Sequence, residues 1–139
     1  MENPIEETAD NLSVFLNNMF RAARKMRSET QMTIGKLIDE LGKYPSNKPI
    51  ESIHSPHSYR GYYEDLAFQK SDKTTTTGNL LNMLHGSCLG VVFEGYKGGD
   101  FLMVVDTPIW IADYGCCGDK IVGITDGDVL TFQIETDEF

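Results

Sequence analysis

Apolar side chains recur at helical spacing over residues 8–28 and form one stripe. Its members are Leu12, Phe15, Leu16, Met19, Phe20, Ala23 and Met26. Recurrence at i, i+3, i+4 and i+7 is typical of an amphipathic helix. A stripe this apolar at a chain end needs cover, so it either folds back on the protein's own sheet or pairs with another copy. The pattern predicts a long N-terminal helix that serves as the oligomerisation element of a homo-oligomer.

Two shorter helices are predicted further along the chain. Residues 34–41 keep helical spacing, with Thr33 placed to cap the amino end and Gly42 to end the helix in the left-handed αL conformation. Residues 78–84 repeat the pattern after Thr77, and Gly86 closes that helix.

The remaining apolar runs are short, rich in β-branched and aromatic residues, and separated by glycine, proline and aspartate turns, which indicates strands. The predicted strands are 50–53, 62–69, 89–94, 101–105, 109–113, 120–124 and 129–134. Residues 71–77 are predicted to be a polar loop, and Asp126-Gly127 predicts a hairpin. The predicted fold class is α+β: a long N-terminal helix, two shorter helices and a mainly antiparallel sheet. Residues 1–139 are predicted to form a single domain, with residues 29–139 as the ligand-binding body.

Composition and charge limit the kinds of partner that this protein can have. The chain has 139 residues, 12 basic and 21 acidic side chains, and a net charge of −9, which disfavours binding to duplex nucleic acid. Three cysteines without Cys-x-x-Cys spacing indicate reduced thiols, with neither disulfides nor structural zinc. The acidic N-terminus is unlike a signal peptide, and no apolar run reaches the length of a membrane span. These features predict a cytoplasmic protein that does not bind membranes.

The end of the first predicted helix carries a basic group, Arg21, Arg24, Lys25 and Arg27. Basic residues at the carboxyl end of a helix complement its dipole. The alternative is an anion site formed where several copies of the helix end meet, with Arg24 and Arg27 as its ligands.

Residues 58–65, SYRGYYED, hold three tyrosines, an arginine and a glycine. Arg60 can hold a phosphate with its planar fork of donors. An adjacent ring such as Tyr59 can stack on a base. The structural alternative is an edge strand with a tyrosine-rich face.

Residues 93–99, FEGYKGG, again combine aromatic residues, glycines and a cation. They add Phe93, Tyr96 and Lys97 as candidate ligand-binding residues. The segment is not a P-loop, because Lys97 precedes its glycines. Its glycine pair also suits a hairpin turn. Histidines and aspartates are too sparse for a metal phosphodiesterase, and no serine has an obvious histidine partner. We therefore predict no metal, no cofactor and no catalytic residues, in a protein that holds a nucleotide without cutting it.

Four segments together carry a resemblance to a known family: residues 58–66, 93–101, 106–112 and 118–124. Over residues 31–124 the chain resembles the first-described family of phage Thoeris anti-defence sponges. Proteins of that family bind cyclic ADP-ribose isomers made by TIR-domain enzymes of the bacterial host and do not degrade them. Some members assemble as hexamers and bind cyclic trinucleotides from CBASS defence at separate sites. The resemblance implies a small cyclic nucleotide ligand, a homo-oligomer (dimer or hexamer) and action in the cytoplasm of the infected host bacterium.

The resemblance also implies site residues. The phosphate-holding arginine of the family falls on Arg60, and the aromatic residue that stacks the base falls on Phe93. A second family arginine falls on Lys120, where lysine keeps the charge but loses the bidentate fork. A polar position of the family falls near Met103, which offers no comparable hydrogen bond. Arg24 and Arg27 are the candidates for the trinucleotide site.

Two other functions compete with the sponge. One is a phage enzyme that hydrolyses a cyclic nucleotide signal. The other is a phage accessory domain that binds a protein.

Overall fold

The structure is a computed structural model, and it describes residue 19 and residues 31–59, 65–94, 100–113 and 118–136. These residues form two helices and seven strands. The helices are α1 (Ile34–Leu41) and α2 (Thr77–Ser87), and the strands are β1 (Pro49–Ser58), β2 (Leu66–Thr76), β3 (Val92–Glu94), β4 (Asp100–Leu102), β5 (Ile109–Ile111), β6 (Asp119–Thr125) and β7 (Thr131–Thr136).

Five strands form the main sheet in the order β1-β2-β5-β6-β7, and β3 pairs with β4 in a separate two-stranded sheet. Neighbours in the main sheet run antiparallel except β2 and β5, which are parallel. The sheet curls until its outer strands meet. There, the Glu51 N–H donates to the carbonyl of Leu130 (2.9 Å), and the Leu130 N–H donates to that of Pro49 (2.9 Å).

The main core fills one face of this sheet, and both helices pack against it. Helix α1 buries Ile34, Leu37 and Leu41, and α2 buries Leu80 and Leu84. Full burial of a leucine or isoleucine side chain contributes about 1.5–3 kcal/mol. The two helices are short, so this apolar contact with the sheet stabilises them more than helix propensity does.

The segment that precedes α1 is part of the sheet. The Met32 N–H donates to the Ile121 carbonyl of β6 (2.7 Å), and the Met32 carbonyl accepts from the Ile109 N–H of β5 (3.1 Å). The next residue, Thr33, caps α1 by accepting a hydrogen bond from the Lys36 N–H (3.2 Å). The start of α1 is thus fixed both by its cap and by the two central strands.

The predicted fold class is wrong for the part of the chain that the structure describes. That part is mostly β, with 49% strand and 23% helix, and its five-stranded sheet is mixed. The predicted meander assumed that successive strands pair. Instead, α2 and the β3–β4 pair lie between β2 and β5, and a connection of that length lets β2 and β5 pair in parallel. The long helix predicted over residues 8–28 lies outside the described residues, except for Met19, which is helical.

Several local predictions can be compared with the structure. The bounds of α1 and its Thr33 cap are confirmed, as is the β6–β7 hairpin at Asp126-Gly127. The predicted end of α1 is wrong in conformation, because Gly42 has a φ of −65° and is right-handed. The predicted loop over residues 71–77 is also wrong. Its threonines up to Thr76 extend β2, since they pair with β1, and Thr76 caps α2 in place of Thr77.

Neither helix in the described ranges has the length and apolar character needed to cross a membrane.

Candidate functional site

A second, smaller core lies on the opposite face of the sheet. We call it the Trp110 cluster, and it comprises Tyr59, Asp65, Ala67, Trp110 and Ala112, all of them buried. The rings of Tyr59 and Trp110 stack with centroids 4.0 Å apart and planes 6° apart. The Trp110 Nε1–H donates to Asp65 Oδ2 at 2.9 Å. Both aromatic residues are therefore held in one orientation.

Strand alternation places Trp110 on this face. Its neighbours Ile109 and Ile111 contact the main core, and successive side chains of a strand point to opposite faces. Ala67 lies beside Trp110 in the parallel register of β2 and β5. Because an alanine side chain is small, it leaves room for the large rings of Tyr59 and Trp110 on this face.

A bulge in β1 brings Tyr59 to the same face. His54 lies opposite Gln69 and His57 opposite Ala67, so β1 has one more residue than β2 in this stretch. Ser55 within it has a φ of +53°, which is unusual for a residue other than glycine. An extra residue changes the face that the rest of a strand presents. The bulge thereby puts His57, and Tyr59 two residues later, on the side of Trp110.

The Trp110 cluster holds both ends of the segment that contains Arg60. The Tyr59 N–H donates to the Asp65 carbonyl at 2.8 Å, so the residues on either side of 60–64 are hydrogen-bonded to each other. Arg60 lies outside the described residues. Its backbone neighbour Tyr59 is nevertheless anchored by a hydrogen bond and by a ring stack.

Gly118 links this cluster to the start of β6. Its N–H donates to the hydroxyl of Tyr59 (3.3 Å). A Cβ atom on Gly118 would overlap the Ile111 carbonyl and the side chain of Ala112. Only glycine permits this close approach of the two backbones.

Lys120 is the described cation nearest to this cluster in the strand register. It lies directly opposite Trp110 in the β5–β6 pair and opposite Glu135 in the β6–β7 pair. Directly opposed residues share a face, with Cβ atoms about 4.5–5.5 Å apart. Lys120 also lines an open cavity of about 490 Å³ with Ile134, Glu135 and Thr136. Within the described residues, Lys120 makes no ion pair.

Phe93 and Met103 lie elsewhere, against the main core. Phe93 is half-buried in β3 and pairs with Phe101 of β4. Met103 is fully buried, and its backbone bonds to Val91 and Gly90 (3.0 and 2.8 Å). The structure therefore does not bring these two residues together with Tyr59. A ligand would reach the side chain of Met103 only if the core opened.

The other predicted site residues lie outside the described residues. They are Arg24, Arg27, Arg60, Tyr96 and Lys97. Among the residues that are described, no three histidine, cysteine, aspartate or glutamate side chains are grouped in a way that could hold a metal ion.

Sequence reasoning missed Trp110 and Asp65. The signal for Trp110 was its place as the sole tryptophan, between two isoleucines in a run short enough to be a strand. Asp65 carried no comparable signal, because its role depends on a partner 45 residues away.

No protein-family model, curated protein or solved structure matches this chain.

Proposed function

We propose that this protein binds and sequesters cyclic nucleotide signals of host immunity without cleaving them. The ligands are cyclic ADP-ribose isomers made by TIR enzymes, with CBASS cyclic trinucleotides as a second class at a separate site that uses Arg24 and Arg27. The resemblance in sequence supports this function. One structural observation carries the site: the neighbour of Arg60 is anchored on Trp110, and Lys120 lies opposite Trp110 on the same face.

A pyrophosphate carries two negative charges and would suit two cations. We assign these roles to Lys120, which lies opposite Trp110, and to Arg60, which follows Tyr59 in the sequence. Arg60 would supply a bidentate contact, and Lys120 a point charge. The two residues are 60 positions apart in sequence. The supporting observation is that Tyr59, the residue before Arg60, stacks on Trp110, which lies opposite Lys120.

We assign base stacking to Phe93 or Tyr96 and not to Tyr59. Phe93 lies against the main core and not in the Trp110 cluster, so a base on this ring would lie apart from the phosphates at Lys120. The ring of Tyr59 already faces Trp110, whereas Phe93 is only half-buried. An exposed ring face accepts any base. Tyr59 would instead support the position of Arg60.

A sponge acts by mass action at concentrations close to those of its ligand, so it needs tight binding and slow release. The direct test is recovery of the ligand. The protein is incubated with cyclic ADP-ribose, freed of unbound ligand, and denatured, and the released small molecule is identified by mass spectrometry. Intact ligand supports the sponge. Altered ligand supports a hydrolase, and absence of ligand supports a protein-binding accessory domain.

Variants of Arg60 test the site. Arg60→Ala should weaken capture by about 2–5 kcal/mol, because a charge-assisted contact is lost and the phosphate stays unpaired. Arg60→Lys should retain part of the affinity. Lys73→Ala removes the same charge from an exposed position in β2 and should bind like the parent. Equal affinity of Arg60→Ala and the parent would disprove the assignment.

Variants of Phe93 test the stacking contact. Phe93→Ala should cost about 1–3 kcal/mol of binding. Phe93→Leu keeps an apolar side chain against the core but has no π face, so it should lose a similar amount. If Phe93→Leu binds like the parent, the ring does not stack on the base.

A further inference from the structure

We propose that Glu135 makes the site specific for a ribose phosphate. Its carboxylate accepts hydrogen bonds from the ribose hydroxyls, while Lys120 pairs with the adjacent phosphate. This role rests on the proposed function, in which Lys120 holds a phosphate of a cyclic ADP-ribose isomer. It adds a contact to the sugar, for which the proposed function names no residue.

Lys120 and Glu135 lie directly opposite each other in the β6–β7 pair. Directly opposed residues share a face, and two opposite charges in these positions can form an ion pair across the strands. Among the ion pairs of the described residues, however, none joins Lys120 to Glu135. Both side chains line the same open cavity of about 490 Å³. A ligand there therefore meets an ammonium group and a carboxylate that are not engaged with each other.

The cavity follows the edge of the main sheet. Strand β7 is the last in the order β1-β2-β5-β6-β7, and the two residues next to Glu135, Ile134 and Thr136, also line the cavity. Because successive residues of a strand point to opposite faces, a cavity lined by three consecutive residues lies along the edge of the strand. Ile134 is 44% exposed, so a small ligand reaches this cavity without any opening of the core.

The lining supplies a group for each part of a ribose phosphate. The Lys120 ammonium has only donors, and the Glu135 carboxylate has only acceptors. A phosphate oxygen accepts and therefore suits the lysine, whereas a ribose hydroxyl can donate and therefore suits the carboxylate. The Thr136 hydroxyl can do either. A carboxylate that bonds to the ribose 2′-OH is also a feature of dinucleotide-binding folds.

The negative charge of Glu135 makes its effect on affinity depend on the sugar. A carboxylate repels a nearby phosphate, so without a hydroxyl donor Glu135 weakens binding. With a ribose hydroxyl in place, it gains a charge-assisted hydrogen bond. Because Glu135 is exposed, water competes for this bond. We therefore expect a preference for ribose over deoxyribose of about fivefold, the effect of one net hydrogen bond of ordinary strength.

Titration of the full chain with ribose 5-phosphate and with 2-deoxyribose 5-phosphate, followed by two-dimensional NMR, tests this contact. The parent should bind the ribose compound about fivefold more tightly. Glu135→Ala should weaken binding of ribose 5-phosphate by a similar factor and abolish the preference. If Glu135→Ala instead binds ribose 5-phosphate more tightly than the parent, the carboxylate only repels the phosphate and the proposal is wrong. It is also wrong if the parent binds neither compound at millimolar concentration.

A matched pair of variants separates the contact from a general effect of charge. Glu135→Gln and Asp72→Asn each neutralise one exposed carboxylate, but Asp72 lines a different open cavity. Glu135→Gln keeps an acceptor oxygen, so its preference for ribose should lie between those of the parent and Glu135→Ala. Asp72→Asn should keep the full preference. Equal changes in these two variants would make the effect one of net charge and would overturn the proposal.

Cyclic ADP-ribose connects this contact to the proposed function. Glu135→Ala should raise the Kd for cyclic ADP-ribose about fivefold. If the parent binds this ligand and Glu135→Ala binds it equally well, the role of Glu135 is disproved and the proposed function stands. If the parent shows the preference for ribose 5-phosphate but does not bind cyclic ADP-ribose, the proposed function fails and Glu135 keeps its role toward ribose phosphates.

Discussion

Cys88 shows how burial alone changes the chemistry of a side chain. It follows α2 in the main core and is fully buried. Desolvation raises the pKa of its thiol from 9.0 to about 12. Because the thiolate is the reactive form, Cys88 is an inert apolar residue in the folded protein.

We expect the thiol of Cys88 to be unreactive in the native protein. In a Cys116→Ser/Cys117→Ser background, the native protein should not react with a thiol reagent at about pH 8. The same protein in urea should react fully, because unfolding exposes the thiol and restores its ordinary pKa. Rapid labelling of the native protein would contradict the buried position.

The raised pKa also makes stability depend on pH. Since the folded pKa lies above the unfolded value of 9.0, the unfolded state loses its proton first as the pH rises. This term stabilises the fold below about pH 9 and is lost between about pH 9 and pH 12. At about pH 10 the loss is on the order of 1 kcal/mol. Urea titration gives the free energy of unfolding of the Cys116→Ser/Cys117→Ser protein and of the same protein with Cys88→Ala. Between about pH 8 and pH 10, this free energy should fall by that amount more in the protein that keeps Cys88. Equal changes in the two proteins would exclude the effect.

Position 118 requires glycine because there is no space for a Cβ atom. Gly118→Ala must push apart β5 and the start of β6, and such overpacking typically costs about 1–3 kcal/mol. Gly86→Ala is the matched control, because a Cβ there meets no atom within 4 Å. In helix α2 that change should be neutral or should stabilise by about 0.5–1 kcal/mol. Urea unfolding measures both variants, and equal effects at the two positions would argue against the close packing of Gly118.

At the scale of elements, one side chain connects three strands of the main sheet. Glu51 of β1 accepts from the Phe132 N–H of β7 through Oε1 (2.8 Å) and pairs with Lys70 of β2 through Oε2 (2.9 Å). The bond to Phe132 is charge-assisted and partly buried, whereas Lys70 is 45% exposed. The first contact therefore contributes more to closing the sheet than the second.

We expect Glu51→Ala to lower the free energy of unfolding by about 1.5–3 kcal/mol. Glu51→Gln keeps an acceptor for the Phe132 N–H and should cost less. Lys70→Ala removes only the exposed ion pair and should cost less than about 1 kcal/mol. Chemical denaturation of the three variants gives this order. A larger loss for Lys70→Ala than for Glu51→Ala would place the stabilisation in the ion pair.

On the scale of the whole molecule, exposed apolar residues give the predicted homo-oligomer two candidate contact surfaces. Val92 and Leu102 lie opposite each other in the β3–β4 pair and are 54% and 52% exposed. Met19, from the apolar stripe of residues 8–28, is 48% exposed. Single exposed apolar residues are also normal on monomers, and the net charge of −9 opposes association. The homo-oligomer therefore stays a prediction with two candidate surfaces.

Light scattering at low micromolar concentration should show no monomer. Phe15→Asp in the apolar stripe should produce monomer, because a charge cannot be buried there without a large cost. Val92→Ser tests the exposed surface of the β3–β4 pair and should leave the oligomer intact. If Val92→Ser dissociates the oligomer and Phe15→Asp does not, the β3–β4 pair forms the interface. A monomeric parent would remove the prediction.

The sequence by itself determined the elements whose causes are local. Helix α1 has the predicted bounds, because a capping threonine and an apolar stripe lie within its own ten residues. The β6–β7 hairpin follows from Asp126-Gly127, since a tight turn fixes the pairing of its two strands. The later strands were located for the same reason, because alternation of apolar residues is a property of a few consecutive positions.

Only the tertiary structure decided which elements meet. The polar threonines before α2 became the end of β2 because β1 offered a partner, and β5 paired in parallel with β2 across the intervening helix and hairpin. The same long-range packing turned Tyr59 from a candidate base-stacking ring into a buried support, and joined it to Trp110 and Asp65. Strand pairing and ring stacking depend on partners dozens of residues away. No local pattern specifies those partners, so the sequence named candidates such as Tyr59 and Lys120 but neither Trp110 and Asp65 nor the arrangement of these side chains.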